Sequence, residues 1–182
     1  MDYQKKTVLL KDSRFCLIRR PEETDAARLS RFQQESAAET PYLVVGPEDI
    51  TLTPEEQAAR IKGWNAAPNR LRLIAEVDGE LAGAALLYGS GFQPRLRHRC
   101  SVDITLYRKF WSLGIGTALL EEILTAAKSA GFEQAELEVV STNAPAIGLY
   151  QKLGFASIGT MPHALKYKDG SYADFFLMVK RL

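Results

Sequence analysis

The sequence is poor in cysteine and nearly balanced in charge. Its 182 residues include only two cysteines, Cys16 and Cys100, which excludes a disulfide framework and a cysteine-based metal site. Both lie in stretches of apolar residues, which predicts buried free thiols. The formal net charge is +1, so no global field attracts nucleic acid or an anionic membrane, and any anion-binding site must be local.

Long hydrophobic runs are absent as well. No stretch approaches the roughly eighteen apolar residues needed to cross a membrane. The first ten residues, MDYQKKTVLL, lack the apolar region and the small-residue cleavage site of a signal peptide. We therefore expect a cytoplasmic protein with no membrane or nucleic-acid partner. The 46% of hydrophobic and 25% of charged residues are typical of a globular protein.

Hydrophobic periodicity and turn residues predict an alternation of strands and helices. Strands are predicted at 14–20, 71–77, 81–88, 100–107, 135–141, 155–160 and 172–180, and helices at 24–39, 53–64, 114–130 and 143–153. Thr53, Pro54 and Glu56 supply the cap, first-turn proline and returning glutamate of a capping box. Asp78-Gly79 between two apolar runs predicts a hairpin. A loop containing Pro162 is predicted before the last strand.

These elements predict one mixed α/β domain of the α+β type. We expect the domain to occupy residues 14–182, after an N-terminal segment at 1–13. The strand–helix–strand unit at 100–141 predicts that strands 100–107 and 135–141 are parallel, with a right-handed crossover. Ligands of such sheets bind beyond the carboxyl ends of the strands. The functional site is therefore expected at that edge.

The segment Leu106–Leu120 passes from a predicted strand through a basic and aromatic turn into a helix. Gly114 and Gly116 let the backbone turn tightly and expose N–H groups at the helix N-terminus, where the helix dipole favours an anion. A G-x-G pair arises by chance about once in a chain of this length. Its position between strand and helix is what predicts a phosphate or pyrophosphate site. Arg108 and Lys109 either approach the phosphates or form a solvated basic turn.

A second motif, Ser141–Phe155, follows the next strand. Asn143 can cap a helix that Pro145 helps to start. Ala146 and Tyr150 are four residues apart and therefore share a helix face. From the residues alone, Asn143 is either a cap or a ligand contact. Tyr150 is either a core aromatic residue or a functional phenol.

Together the two motifs resemble those of the GNAT superfamily of acyl-CoA-dependent N-acetyltransferases. WSLGIGTALL at 111–120 is similar to the family's Arg/Gln-x-x-Gly-x-Gly/Ala turn, and NAPAIGLYQKLGF at 143–155 to its Asn-x-x-Ala-x-x-Leu-Tyr-x-Lys-x-Gly-Phe segment. Similar segments at 76–83 and 169–178 extend the resemblance over residues 14–182. It implies a mostly antiparallel mixed sheet with helices on both faces. Trp111 stands where the family has arginine or glutamine, so the pyrophosphate contacts are expected mainly from the backbone.

The resemblance implies acetyl-CoA as the co-substrate and no metal. Backbone groups at Ile104 and Leu106 would pair with the pantetheine arm like an added strand, and Asn143 and Ala146 would touch the pantetheine or adenine side. Tyr150 would protonate the leaving thiolate, help that is worth roughly 10²–10⁴ in rate. The pyrophosphate contacts are expected from the turn residues Trp111, Ser112, Leu113, Gly114, Ile115, Gly116 and Thr117, with Arg108 and Lys109 nearby.

The acceptor amine must attack in its deprotonated form, and three side chains could take its proton. They are Asp103, Glu138 and His98, each of which is alternatively a solvated group. The family builds its acceptor side from segments that correspond to 32–64 and 161–172. The acidic residues there either favour a cationic amine or are solvated charges: Glu35, Glu39, Glu48 and Asp49. The basic residues His163 and Lys166 would make such a pocket less acidic.

We therefore expect an N-acetyltransferase that moves an acetyl group to a primary amine of a small molecule or peptide. The transfer is expected to be direct, in a ternary complex, because no cysteine stands in the motifs as a nucleophile. A non-catalytic acyl-CoA-binding or sensing module is the alternative, since fold alone does not fix function. A dinucleotide site is disfavoured because Leu119 occupies the place of its third glycine. The resemblance also allows a homodimer.

Overall fold

The computed structural model describes residues 1–91 and 93–182. Its strands are β1 (Lys6–Leu9), β2 (Phe15–Arg19), β3 (Arg70–Val77), β4 (Glu80–Gly89), β5 (Arg99–Leu106), β6 (Gln134–Val140), β7 (Ala156–Lys166) and β8 (Tyr172–Arg181). Its α-helices are α1 (Ala26–Glu39), α2 (Pro54–Ala66), α3 (Ile115–Ser129) and α4 (Ala144–Lys152). The strands lie in one sheet in the order β1-β2-β3-β4-β5-β6-β8-β7. Neighbouring strands are antiparallel except β5 and β6, which confirms the predicted fold class.

The parallel pairing is short. Residues Arg99–Ser101 of β5 pair with Gln134–Glu136 of β6, and the pairing ends there. Beyond it, β5 continues to Leu106 along β4, and β6 continues to Val140 along β8. Because the two strands no longer share hydrogen bonds, the sheet opens between their carboxyl ends. The opening lies at the edge where the sequence predicts the site.

Two strand predictions were wrong. β1 lies in segment 1–13, where no strand was predicted, and it pairs along its whole length with β2. β7 runs to Lys166 instead of ending at Thr160, so Pro162 lies inside a strand and not in a loop. The register of β7 shifts between Met161 and Leu165. Such an irregularity accommodates a residue that has no N–H donor.

Helices cover both faces of the sheet, as predicted. On one face, α3 approaches β5 so closely that a Cβ atom at Gly116 would lie 3.2 Å from Leu106 Cδ1. On the other face, Trp64 of α2 packs edge-on against Tyr88 of β4, with ring centroids 6.3 Å apart. Tyr88 pairs with Ser101 of β5, so these two side chains lie on the same face of the sheet. Ser101 and Leu106 are an odd number of positions apart along β5, so the Leu106 side chain lies on the opposite face.

Two local predictions are confirmed within this framework. The Thr53 hydroxyl accepts the Glu56 N–H at 3.2 Å, and the Glu56 carboxylate accepts the Thr53 N–H at 2.9 Å; this capping box starts α2. Cys16 and Cys100 are both free and buried in the core. Of the helices described, none combines the length and the apolar character required to cross a membrane.

Candidate active site

A cleft of about 1200 Å³ opens where β5 and β6 separate. One wall comes from β5, the first turn of α3 and α4, and the other from α1, α2, β3, β4 and the 40–52 loop. The cleft brings together most of the predicted site residues: Asp103, Ile104, Leu106, Trp111, Ser112, Gly114, Gly116, Thr117, Glu138, Asn143, Ala146 and Tyr150. The predicted site residues that do not line it are Arg108, Lys109, Leu113 and Ile115.

The edge of β5 that faces the cleft carries backbone groups without a strand partner. On the opposite edge, the Tyr107 N–H donates to Ala82 O at 3.1 Å. Backbone groups alternate in direction along a strand, so Ile104 and Leu106 turn theirs towards the separated β6. An extended ligand can pair with this edge in the way that an added strand would.

Trp111 fastens the turn after β5 to this edge. Its indole Nε1 donates to Leu106 O at 3.1 Å, and the Arg108 guanidinium lies 5.6 Å from the centre of its ring. The indole therefore links the turn between β5 and α3 back to the end of β5. Because it is uncharged, it offers no charge to an anion. One of the Leu106 backbone groups is thereby occupied, so the pairing edge is centred on Ile104.

The N-terminus of α3 presents free donors to the cleft. Gly114 has a φ of 98°, a left-handed conformation that glycine adopts without steric cost. The first helical bond joins Ala118 N–H to Gly114 O at 3.0 Å, and no side chain caps the helix. In the described part of the chain, the N–H groups of Ile115, Gly116 and Thr117 are therefore left without an acceptor. With the helix dipole they form an anion site.

The basic residues of the turn, Arg108 and Lys109, do not line the cleft. Lys109 bonds to Glu80, and its ammonium group lies 5.3 Å from the centre of the Phe110 ring. Lys11 lines the cleft instead, and its N–H donates to Leu113 O at 3.2 Å. Nothing in the sequence places Lys11 here, because only the pairing of β1 with β2 brings it to the turn.

Asn143 begins α4 and also lines the cleft. Its Oδ1 accepts the Ala146 N–H at 3.3 Å, which confirms the predicted cap. Pro145 lies in the first turn, where its missing N–H leaves no bond unmade. The cap fixes where α4 starts and thereby brings Tyr150, about two turns further along, to the cleft.

Tyr150 is held firmly, yet its hydroxyl is unengaged. The residue is 6% exposed, and its ring packs edge-on against Phe155 with centroids 5.9 Å apart. Three of the six other tyrosines, Tyr3, Tyr107 and Tyr167, bond their hydroxyls to protein groups, whereas the Tyr150 hydroxyl has no such partner among the described residues. Burial, and then the charge of Asp103, raise its pKa. The phenol therefore keeps its proton throughout the physiological range.

Comparison with known proteins agrees with this geometry. A model of the acetyltransferase (GNAT) family matches residues 31–155, which is more than half of the chain. The chain belongs to the GNAT acetyltransferase family. Like other members, this acetyltransferase uses acetyl-CoA as its acyl donor.

Several relatives are similar over much of the chain. An N-alpha-acetyltransferase of Sulfurisphaera tokodaii is 36% identical over 124 residues, which cover 60% of this chain and 68% of that protein. An L-amino acid N-acetyltransferase of Escherichia coli is 30% identical over 115 residues, with 62% and 69% covered. A solved GNAT-family acetyltransferase from Streptococcus pneumoniae superimposes with a TM-score of 0.86 at 30% identity, over 92% of this chain and 99% of that one.

Of the three predicted bases, two line the cleft of the acetyltransferase. Asp103 is open to water on the cleft side, but protein encloses it elsewhere. This enclosure raises the pKa of its carboxyl group, the Tyr88 hydroxyl opposes the rise, and the charge of Glu138 adds to it. Burial and the Asp103 charge raise the pKa of Tyr88 to about 12. His98 does not line the cleft.

Most of the acidic residues considered for recognition of a cationic amine lie outside the cleft. They are Glu35, Glu39, Glu48 and Asp49. The first two bond to the turn after β5, the third pairs with Lys168, and only the fourth lines the cleft. Residues of segment 32–64 form much of the cleft wall, whereas no residue of 161–172 lines the cleft.

Proposed function

We propose that this acetyltransferase moves the acetyl group of acetyl-CoA directly to a primary amine, with both substrates bound together and Tyr150 as the general acid. The position of the Tyr150 phenol supports this most strongly. It is enclosed, protonated and unengaged, in the same cleft as the free N–H groups of α3. A module that only bound or sensed acyl-CoA would need those N–H groups but not the phenol. The names of the relatives support an amino acid or an α-amino terminus as the acceptor.

The residues of the cleft fit acetyl-CoA. The N–H groups of Ile115, Gly116 and Thr117 would hold the pyrophosphate, because they are donors that still lack acceptors. Glycine at 116 lets the first turn of α3 pack closely against its neighbours, since a Cβ atom there would lie 3.1 Å from Leu149 Cδ2. The free edge of β5 at Ile104 would pair with the pantetheine arm.

The thioester supplies an activated acetyl carbon, and the protein supplies position and protons. The acceptor nitrogen attacks that carbon, and the carbon–sulfur bond breaks as the carbon–nitrogen bond forms. Tyr150 gives its proton to the departing sulfur. Asp103 or Glu138 takes the proton that the nitrogen loses, directly or through water, and solvent restores the phenol. This mechanism requires the Tyr150 phenol to be neutral and the carboxylate that acts as the base to be ionised.

Direct transfer is also supported by the state of the thiols. An acyl-enzyme route would need a reachable thiolate. Cys16 and Cys100 are both 0% exposed. Burial raises the pKa of the Cys16 thiol to about 11 and that of the Cys100 thiol to about 12. Neither thiol is therefore a nucleophile at neutral pH.

Thiol release from acetyl-CoA, measured with a panel of free amino acids, peptides and polyamines, tests the proposed function. At least one amine should be acetylated, and double-reciprocal plots should intersect, as they do for a ternary complex. Parallel plots would contradict direct transfer. Tight binding of acetyl-CoA without turnover of any amine would instead indicate a binding module.

Replacing Asp103 by asparagine should raise the Tm at neutral pH. Folding raises the pKa of this carboxyl group above its ordinary value of 3.8, so the folded protein binds more protons than the unfolded chain. Stability therefore falls as the pH rises through the folded value. The Tm difference between Asp103→Asn and wild type should therefore grow as the pH rises from about 4 to the folded pKa, and it should stay constant above that pKa. Towards about pH 4 the difference should vanish.

Thermal unfolding of Asp103→Asn and wild type at a series of pH values measures this effect. Glu138→Gln is the matched control, because Glu138 also lines the cleft and adds to the Asp103 shift. That variant should show part of the advantage with the same sign. An offset between Asp103→Asn and wild type that does not vary with pH would contradict the prediction.

A further inference from the structure

Arg72 is the most deeply buried charged side chain in the wall of the cleft. It is 3% exposed, and its Nε and Nη1 atoms have no hydrogen-bond partner in the described residues. No carboxylate of the described chain pairs with it. The residue lines the cleft, so its side chain borders the space that a ligand would fill.

The surroundings of Arg72 offer its charge no compensation. A buried ion without a partner is strongly disfavoured, and buried polar atoms are almost always bonded. Burial lowers the pKa of Arg72 to about 10, and the charge of Arg60 adds to the effect. The guanidinium lies 4.9 Å from the centre of the Trp64 ring, and Trp64 Nε1 is itself an unpartnered donor. These groups are positive or donate, so an anion would complement them.

Sheet register relates Arg72 to the site of acetyl transfer. Arg72 pairs with Leu86 of β4, and Leu86 pairs with Asp103 of β5. The three side chains therefore lie in one row on one face of the sheet. With strands about 4.8 Å apart, the backbones of Arg72 and Asp103 are about 10 Å apart. The long arginine side chain spans part of this gap, leaving room for a molecule with an amine at one end and an anion at the other.

Apolar residues also line the cleft. Val44 and Val45 are 71% and 44% exposed although both line the cleft, together with Leu52 and Leu86. Exposed valines on a cleft wall bury apolar surface only when a ligand is present. An acceptor with an apolar side chain would provide it.

We propose that Arg72 binds the carboxylate of the acceptor, so that the acceptor is a free amino acid with an apolar side chain. This inference rests on the proposed function, because it names the substrate class of the same site. The first residue of a peptide presents a neutral amide in place of that carboxylate and would leave Arg72 without a counter-charge. A polyamine would add a further positive charge beside it.

The test compares three acceptors that differ at one group: L-leucine, L-leucinamide and 3-methylbutylamine, which lacks the carboxylate. For wild type, kcat/KM should be highest for leucine. In Arg72→Met, kcat/KM for leucine should fall about 10- to 100-fold, the usual value of a charged hydrogen bond, while that for 3-methylbutylamine stays nearly constant. Arg72→Lys should keep part of the preference, because it keeps the charge but not the planar fork.

Arg70→Met is the matched control. Arg70 also lies over Trp64, at 5.0 Å, and lines the cleft, but it is exposed, so water screens its charge and its loss should reduce the preference for the carboxylate far less than the loss of Arg72 does. Equal rates of wild type with all three acceptors, or an equal loss for all three in Arg72→Met, would overturn the proposal. Loss of the preference in Arg70→Met but not in Arg72→Met would overturn it as well.

Equilibrium binding separates this proposal from the proposed function. Titration calorimetry of wild type should detect leucine, but not 3-methylbutylamine, at equal concentration, even if Arg72→Met fails to fold. Failure of every amine to be acetylated would contradict the proposed function. Turnover of amines without any preference for the carboxylate would contradict only the role of Arg72.

Discussion

Replacing Tyr150 by phenylalanine should lower kcat by about 10²–10⁴ and leave acetyl-CoA binding nearly unchanged. The substitution removes the proton donor, whereas the N–H groups of α3 and the edge of β5 remain. Stability should also change little, because the hydroxyl has no protein partner to lose and the ring keeps its contact with Phe155. Single-turnover measurements with the best acceptor report the chemical step directly and exclude product release as the cause.

Tyr107→Phe provides a matched control for that experiment. Tyr107 is also buried, but its hydroxyl bonds to Glu35 at 2.6 Å and it does not line the cleft. This variant should lose some stability and keep the rate of the chemical step. If Tyr150→Phe matched wild type at all pH values, Tyr150 would not be the general acid and water would protonate the thiolate.

Replacing Asp25 by alanine should lower the free energy of unfolding by about 3–5 kcal/mol, the range for breaking a buried ion pair. Asp25 accepts two hydrogen bonds from Arg19, at 2.7 and 2.8 Å. Arg19 also donates to Glu76 of β3 at 2.7 Å, and Arg28 bridges both carboxylates. The network joins the start of α1 to β2 and β3, and the variant would leave Arg19 with half of its counter-charge.

Urea unfolding of Asp25→Ala and Asp2→Ala measures this difference. Asp2 lies 3.7 Å from Arg20, but its side chain is fully exposed, so its loss should cost less than about 1 kcal/mol. Equal destabilisation by the two substitutions would contradict the prediction.

The contribution of Asp25 should also depend on pH. Burial acts to raise the pKa of its carboxyl group, but the hydrogen bonds from Arg19 and the Glu22 N–H outweigh burial, and the folded pKa lies below 3.8. The folded protein therefore holds fewer protons at this site than the unfolded chain does. The stabilisation is complete above the ordinary value and is lost as the pH falls through the folded one. The difference in the free energy of unfolding between wild type and Asp25→Ala should therefore become smaller as the pH falls through the folded pKa.

Much of the fold follows from short-range signals in the sequence. The capping box of α2, the hairpin at Asp78-Gly79 and the cap at Asn143 each depend on residues a few positions apart. The register of β1 and the extension of β7 through Pro162 do not. A strand of four residues such as β1 has too little periodicity to be recognised, and a proline inside a strand depends on the partner that tolerates it.

The sequence by itself determined the order of the elements from β2 onwards, the glycine turn and the family, because each rests on residue types at fixed spacings along the chain. It also named Tyr150 as the general acid, which remains a prediction that Tyr150→Phe will test. Only the tertiary structure decided that Trp111 closes the turn, that Lys11 reaches it, and that Arg72 lies buried without a counter-charge. These features depend on contacts between residues far apart in the chain, and burial and missing partners exist only once the sheet and helices have packed together.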